Sequence, residues 1–301
     1  TGVETSVALT VTPAVLVSIG VTPATPSIAL GTSQPFVATG TYSDSTVQDL
    51  TTSVTWSSSA PAVATVDGAG FASSVSTGAT VITATDPATM IAGDTTLTVT
   101  AAALVSIAVT PVTPSIVLGT DQAFVATGTY TDSTVQDLTT SVTWSSSAPA
   151  VATVSNAGGD EGVASSVAAG VTTITATDPA SMIAGDQALT VTPAELVSIA
   201  VTPASPSIAL GTDQAFTATG TYTDATVQDL TTSVTWTSSQ AGVATISNAS
   251  GTEGVATSAS AGVTTITATD PGTMIAGDQA LTVTPAELVS IDVTPSMPSI
   301  A

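Results

Sequence analysis

The 301-residue sequence contains no lysine, arginine, histidine or cysteine. An ordinary globular chain of this length carries roughly 35 Lys plus Arg. The only ionisable residues that are charged at neutral pH are acidic, 22 Asp plus Glu, for a formal net charge of −22. Without imidazole, thiolate or side-chain amine, general acid–base and covalent catalysis lose most of their usual groups. Without Lys or Arg the chain has nothing to neutralise phosphates, so nucleic acid and anionic membrane surfaces are excluded as partners. The lack of Cys leaves no disulfide framework and no redox indication of compartment. No apolar run reaches 18 residues, which excludes a helical membrane span. Aromatic residues make up only 3% of the chain.

What is present points to strands. Apolar residues form 43% of the sequence and mean hydropathy is +0.50, far from the signature of a disordered chain. The 62 Thr and 37 Ser place an aliphatic hydroxyl on about a third of the residues. Together with abundant Val and Ile, this makes β-branched side chains dominant, which suits a pleated sheet.

The chain is also repetitive. The string TTSVTWSSSAPAVATV around Trp56 recurs unchanged around Trp144 and nearly unchanged around Trp236. Leu16-Val-Ser-Ile recurs at Leu104, Leu196 and Leu288, at spacings of 88, 92 and 92 residues. The extra four residues lie in one turn, where Val66-Asp-Gly-Ala-Gly-Phe-Ala becomes Val154-Ser-Asn-Ala-Gly-Gly-Asp-Glu-Gly-Val-Ala. A period of about 90 residues suits an autonomous small domain rather than a solenoid unit. The expected organisation is a terminal strand of a preceding repeat over 1–15, whole repeats over 16–103, 104–195 and 196–287, and the first strand of a following repeat over 288–301. This pattern predicts a window from a longer array, with strands donated between subunits as the alternative.

Within a repeat, two-residue alternation marks strands with one buried face. Phe36, Ala38, Gly40 and Tyr42 share a face, as do Val54 and Trp56, Ile82 and Ala84, and Leu97 and Val99. Turn signals such as Ser43-Asp-Ser, Asp67-Gly and Asp86-Pro separate them. About seven short strands without a helical pattern predict a β-sandwich. Trp56, Trp144 and Trp236 are expected in the core rather than as a carbohydrate platform. Gly40, Gly128 and Gly220 are expected to leave room for that ring or for another backbone.

The motifs I-x-V-T-P, G-T-x-Q-x-F, V-T-W-S-S-S-x-P-x-V-A-T-V, T-I-T-A-T and L-T-V-T resemble the group 2 bacterial immunoglobulin-like domain across nearly the whole chain. The resemblance implies tandem immunoglobulin-like β-sandwiches of the kind found in stalks of bacterial surface proteins, adhesins and phage virions. It carries over no site residue, and the absence of Lys departs from the family's common composition.

The recurring acids are Asp44, Asp49, Asp86 and Asp94, with counterparts at Asp132, Asp137, Asp178, Asp186, Asp224, Asp229, Asp270 and Asp278. No Asp-Thr-Gly or Asp-Ser-Gly motif accompanies them, so no catalytic residue is assigned and the chain is read as non-enzymatic. Calcium is the one cofactor the oxygen-rich composition admits, through Asp160-Glu161, Glu253, Glu195 or Glu287. No calcium-loop motif is present, however, and Asp at a turn usually bonds its own backbone, so the expectation is no metal and no cofactor. Outward rows of Thr39, Thr41, Thr55, Thr83, Thr96 and Thr98 suit either a plain soluble face or O-glycosylation, and Asn248-Ala-Ser250 is the sole N-glycosylation sequon.

Junctions such as Leu189-Thr-Val-Thr-Pro-Ala-Glu-Leu-Val-Ser-Ile lack Gly and should bend little. The expected architecture is therefore all-β, with tandem sandwiches arranged as an extended rod. The expected function is a non-enzymatic extracellular structural segment of a bacterial surface stalk or filament. Its partners would be neighbouring repeats or copies of itself. Alternatives are an adhesin that binds a host or surface glycan or protein through its loops, and a phage surface domain.

Overall fold

A computed structural model describes residues 4, 6–286, 288 and 290–292. The chain divides into two compact units, residues 1–110 with 124–144 and 175–186, and residues 111–123 with 145–174 and 187–301. Among the described residues there is no helix, and the regular structure is entirely strand.

The first repeat lies wholly within the first unit. It contains ten short segments: β1 (Leu16–Thr22), β2 (Ser27–Ala29), β3 (Ser33–Pro35), β4 (Val37–Tyr42), β5 (Val47–Asp49), β6 (Thr55–Ser58), β7 (Ala64–Val66), β8 (Phe71–Ser74), β9 (Gly78–Thr85) and β10 (Ala92–Thr100). They form three sheets, ordered β1-β4-β5, β2-β10-β9-β6 and β3-β8-β7. All pairings are antiparallel except β2 with β10, where Ser27, Ile28 and Ala29 lie beside Thr98, Val99 and Thr100 in parallel.

The count of ten corrects the seven strands expected. The chain leaves β1, crosses Pro23 and Pro26, and re-enters as β2 in a different sheet. Proline cannot donate to a ladder, so a sheet switch falls naturally there. β3, β5 and β7 are likewise only three residues long and show too little alternation to be read.

The buried face is the one the alternation marks. Phe36, Ala38, Trp56, Ile82, Ala84, Leu97 and Val99 pack into one core, with Val54 and Leu50 at its margin. The Phe36 and Trp56 rings lie 6.4 Å apart at 40°, a tilted aromatic pair. The core reading of the tryptophans holds: Trp56, Trp144 and Trp236 are all buried. Each indole Nε1 donates to a backbone carbonyl five residues earlier, Thr51, Thr139 and Thr231, at 2.8, 2.9 and 2.9 Å. No buried side-chain polar atom is unpaired among the described residues.

The inward glycine has a different neighbour from the one expected. A Cβ on Gly40 would meet Leu50 Cδ1 at 2.5 Å and Leu16 Cδ1 at 2.8 Å, so the room is for leucines rather than an indole or a backbone. The glycine that touches the indole is Gly70, in the turn before β8. Its φ is +83°, and an added Cβ would lie 3.0 Å from the ring of Trp56.

The third repeat lies within the second unit and repeats this plan. Its sheets are Leu196–Thr202, Thr217–Tyr222 and Val227–Asp229; then Ser207–Ala209, Ala276–Thr284, Gly262–Thr269 and Thr235–Ser238; then Asp213–Ala215, Val255–Ser258 and Ala244–Ile246. In the second repeat, Leu104–Thr110, Val125–Tyr130 and Val135–Asp137 form the β1-β4-β5 equivalent inside the first unit. The β3-β8-β7 equivalent, and the parallel pairing of Ser115–Val117 with Thr190–Thr192, lie inside the second unit.

The described part of 1–15 forms no strand, and Val7, Leu9 and Val11 are exposed. In a whole repeat the matching residues pair along β9. No such neighbour runs beside them here, and a lone strand has no ladder to join. Of residues 288–301, only 288 and 290–292 are described, and none of these is in a strand; the remainder, and Glu287, lie outside the described residues.

Candidate functional surface

The outward face of the β2-β10-β9-β6 sheet carries an ordered array of polar side chains. Cross-strand register brings Thr55 beside Thr85, Ser57 beside Thr83, and Thr83 beside Asp94. Thr96 faces Val81, and Thr98 lies between Ala79 and Ser27. In the third repeat the same positions give Thr235 beside Thr269 and Thr237 beside Thr267, with Asp278 next in line. Neighbouring strands in such a sheet are spaced ~4.8 Å apart, and same-face residues along a strand are about 6.6–6.8 Å apart. The result is a lattice of hydroxyls and methyls with one carboxylate per repeat.

A second hydroxyl cluster lies inside, and the sequence reading missed it. Thr80, Thr172 and Thr264 are almost completely buried. The Thr80 hydroxyl lies 2.8 Å from Ser58 Oγ and accepts from the amide of Ala60 at 3.0 Å. Ser146 and Ala148 surround Thr172, and Ser238 and Gln240 surround Thr264, in the same way. Two-residue alternation carried back from Ile82 places Thr80 inward, so the signal was available.

Nine of the twelve recurring aspartates, all but the strand residues Asp94, Asp186 and Asp278, are engaged in their own turns. Asp44 Oδ1 accepts from the Thr46 hydroxyl at 2.7 Å and from its amide at 3.0 Å. Asp86 Oδ2 accepts from the Thr89 hydroxyl at 2.6 Å and amide at 2.8 Å. The hydroxyl, then the amide, of Thr46, Thr51 and Thr89 hold Asp44, Asp49 and Asp86 below the ordinary carboxylate value. Their counterparts Asp132, Asp137, Asp178, Asp224, Asp229 and Asp270 are lowered in the same way.

The candidate calcium ligands are dispersed. Glu161 accepts from the amide of Gly159 and Glu253 from that of Gly251, each at 2.8 Å, closing their own loops. Glu195 lines a shallow groove with Tyr222, Asp270 and Thr273. Among the described residues no group of three or more carboxylates is placed to hold a metal ion.

The sequon at Asn248 has a structural role. Asn248 Oδ1 accepts from the Trp236 amide at 2.7 Å, and Nδ2 donates to the Trp236 carbonyl at 2.9 Å. A glycan on Nδ2 would have to displace that clamp.

Fold and composition together define a tandem array of small β-sandwiches whose aromatic residues are largely committed to the cores. The model of the bacterial Ig-like domain (group 2) matches residues 16–99, 103–184 and 195–274, and the chain belongs to that family. A curated relative, Ice-binding protein 1 of Shewanella frigidimarina (strain NCIMB 400), is 46% identical over 291 residues. That alignment takes in 95% of this chain and 31% of the relative, so the chain spans about a third of that protein's length. Among solved structures, the surface layer protein SbsC, domains 1-6, overlaps 92% of this chain and 41% of its own at 16% identity and a TM-score of 0.34. Drosophila N-cadherin EC1-4 overlaps 91% and 76% at 10% identity and a TM-score of 0.32. Overlaps this loose bear on neither fold nor function.

Proposed function

We propose that this chain is a non-enzymatic spacer: a segment of an extracellular bacterial surface stalk or filament, with 16–103, 104–195 and 196–287 as its folding units. One observation carries the reading. The side chains most suited to recognition are engaged in holding the fold, the indoles in the cores and the hydrogen-bonded aspartates in their turns. Apart from the turn after Val66, four residues shorter than its counterparts, the turns are also nearly identical from repeat to repeat, whereas an adhesin would concentrate variation and aromatics at one domain's tip. The relative named for binding ice is about three times longer than the matched region. In this reading its ice-binding unit lies outside that region, and the repeats hold such a unit at a distance.

A second reading has an observation of its own. The outward hydroxyl and methyl lattice is regular and nearly uncharged, and a relative is named for binding ice. Against it, Asp94, Asp186 and Asp278 recur at one position of that face or its counterpart. Thermal hysteresis measured on the 301-residue chain alone separates the two. The spacer reading expects no gap between melting and freezing points. A concentration-dependent gap, abolished by Thr267→Asp, would overturn it in favour of the sheet face.

A further inference from the structure

We infer that one threonine per junction, Thr131 and Thr223, sets the orientation of consecutive repeats by seating on a glycine corner of the repeat before it. Thr131 follows the β4-equivalent strand of the second repeat. Its hydroxyl donates to the carbonyl of Leu30, in the first repeat, at 2.6 Å. The same oxygen accepts from the linker amide of Ala103 at 3.0 Å, and the Thr131 amide returns a bond to the Ala103 carbonyl at 2.9 Å. Both partners lie inside the first compact unit. Inside the second, Thr223 donates to Leu118 O at 2.6 Å, accepts from the Glu195 amide at 3.1 Å and donates its own amide to Glu195 O at 2.9 Å. One side chain thus ties together the preceding repeat, the linker and the following repeat.

The residue after each accepting carbonyl is glycine. Gly31, Gly119 and their third-repeat counterpart Gly211 have φ of +88°, +94° and +92°, and each amide donates at 2.9 Å to a serine hydroxyl, that of Ser74, Ser166 and Ser258 respectively. Left-handed backbone is a sufficient reason for glycine at all three. The surroundings differ, however. A Cβ on Gly31 would run into the backbone of Thr131 and Asp132, and one on Gly119 into Thr223 and Asp224. Among the described residues, a Cβ on Gly211 would meet nothing within 4 Å. The corner has the same backbone shape and serine partner in each repeat, so the seat is built into the repeat itself. The partner it fits is another repeat of this kind, carrying a Tyr-Thr-Asp or Tyr-Ser-Asp turn. Serine serves in the first repeat, where Ser43 makes the corresponding linker bonds with Val15.

This deepens the spacer reading and rests on it only for its purpose; the contacts stand without it. The test uses the full chain with cysteines introduced at exposed Ala150 and Ala249, the sole thiols because the native sequence has none. Spin labels there report the distance distribution between repeats 2 and 3. The parent is expected to give one narrow peak, lost in Thr223→Val and in Gly119→Ala and retained in Thr223→Ser. Gly211→Ala carries the same left-handed strain without the collision and is expected to match the parent. The inference is overturned if Thr223→Val keeps the narrow peak, if Gly211→Ala broadens it as Gly119→Ala does, or if the parent is already broad. Thermal hysteresis does not respond to any of these outcomes, so this inference and the spacer reading fail separately.

Discussion

Replacing Trp236 by alanine tests whether the indoles are core or surface. The side chain is only 2% exposed, packs with Phe216 at 6.5 Å between ring centroids and donates from Nε1 to Thr231 O. Truncating a buried aromatic to Ala costs about 3–5 kcal/mol through lost transfer energy and the cavity left behind. The cost includes the lost aromatic pair, worth ~0.5–1.5 kcal/mol, and the Thr231 carbonyl left without its donor. A domain of this size has roughly 5–15 kcal/mol in total, so one repeat should come close to unfolding. At about 4–8 °C per kcal/mol the affected transition should drop by roughly 12–40 °C. Calorimetry of the full chain is the assay, because the fluorescence of Trp56 and Trp144 would mask the change. Trp236→Phe keeps a ring in the cavity and should recover most of the loss. A midpoint shift of less than about 4 °C for Trp236→Ala would mean a cost under ~1 kcal/mol and would refute the core assignment.

Other consequences are open to measurement. Thr264→Val strips the hydroxyl from a buried cluster and leaves the Gln240 amide without an acceptor, for an expected loss of about 1–3 kcal/mol by denaturant titration. Asn248→Ala frees both backbone groups of Trp236 and should cost a similar amount. Mass spectrometry of the chain made in a glycosylating host should find Asn248 unmodified. The nine turn aspartates have folded values below 3.8, so each contributes stability that is present above 3.8 and lost as pH falls through its depressed value. Melting midpoints should therefore decline below pH 3.8, and a midpoint that rises steadily down to pH 2 would show that relief of the −22 self-repulsion outweighs the turns.

The parts of the molecule that were legible in the sequence are those governed by local alternation. Phe36, Ala38, Gly40 and Tyr42, and the pair Ile82 and Ala84, declare their buried face within a few residues. The turn at Ser43-Asp44 declares itself through the habit of Asp to bond the backbone two residues on. What stayed hidden depends on partners far away in the chain. Gly40 is small because Leu16 and Leu50 close over it, and neither lies in its own strand. Asn248 reads as a sequon until its amide is seen to clamp Trp236, twelve residues earlier. Thr131 resembles its many outward neighbours, and only the approach of Leu30 from another repeat distinguishes it. The parallel pairing of β2 with β10 likewise required knowing that the chain changes sheets at Pro23 and Pro26.

That pairing has a mechanical consequence. Thr98 N donates to Pro26 O and Leu30 N to Thr100 O, each at 3.0 Å, and equivalent bonds recur in the other two repeats. One member of the pair belongs to the start of a repeat and the other to its end, and the two run in the same direction. Tension applied through the two ends of a repeat drags them past each other lengthwise. Bonds across the pair then share the load and fail together, whereas a hairpin pulled open from its tip releases them one at a time. Single-molecule pulling should show tall, evenly matched rupture peaks, lowered for one repeat by a proline at Ile28. A chain without a single cation or thiol would then resist stretching through a few backbone bonds loaded in shear.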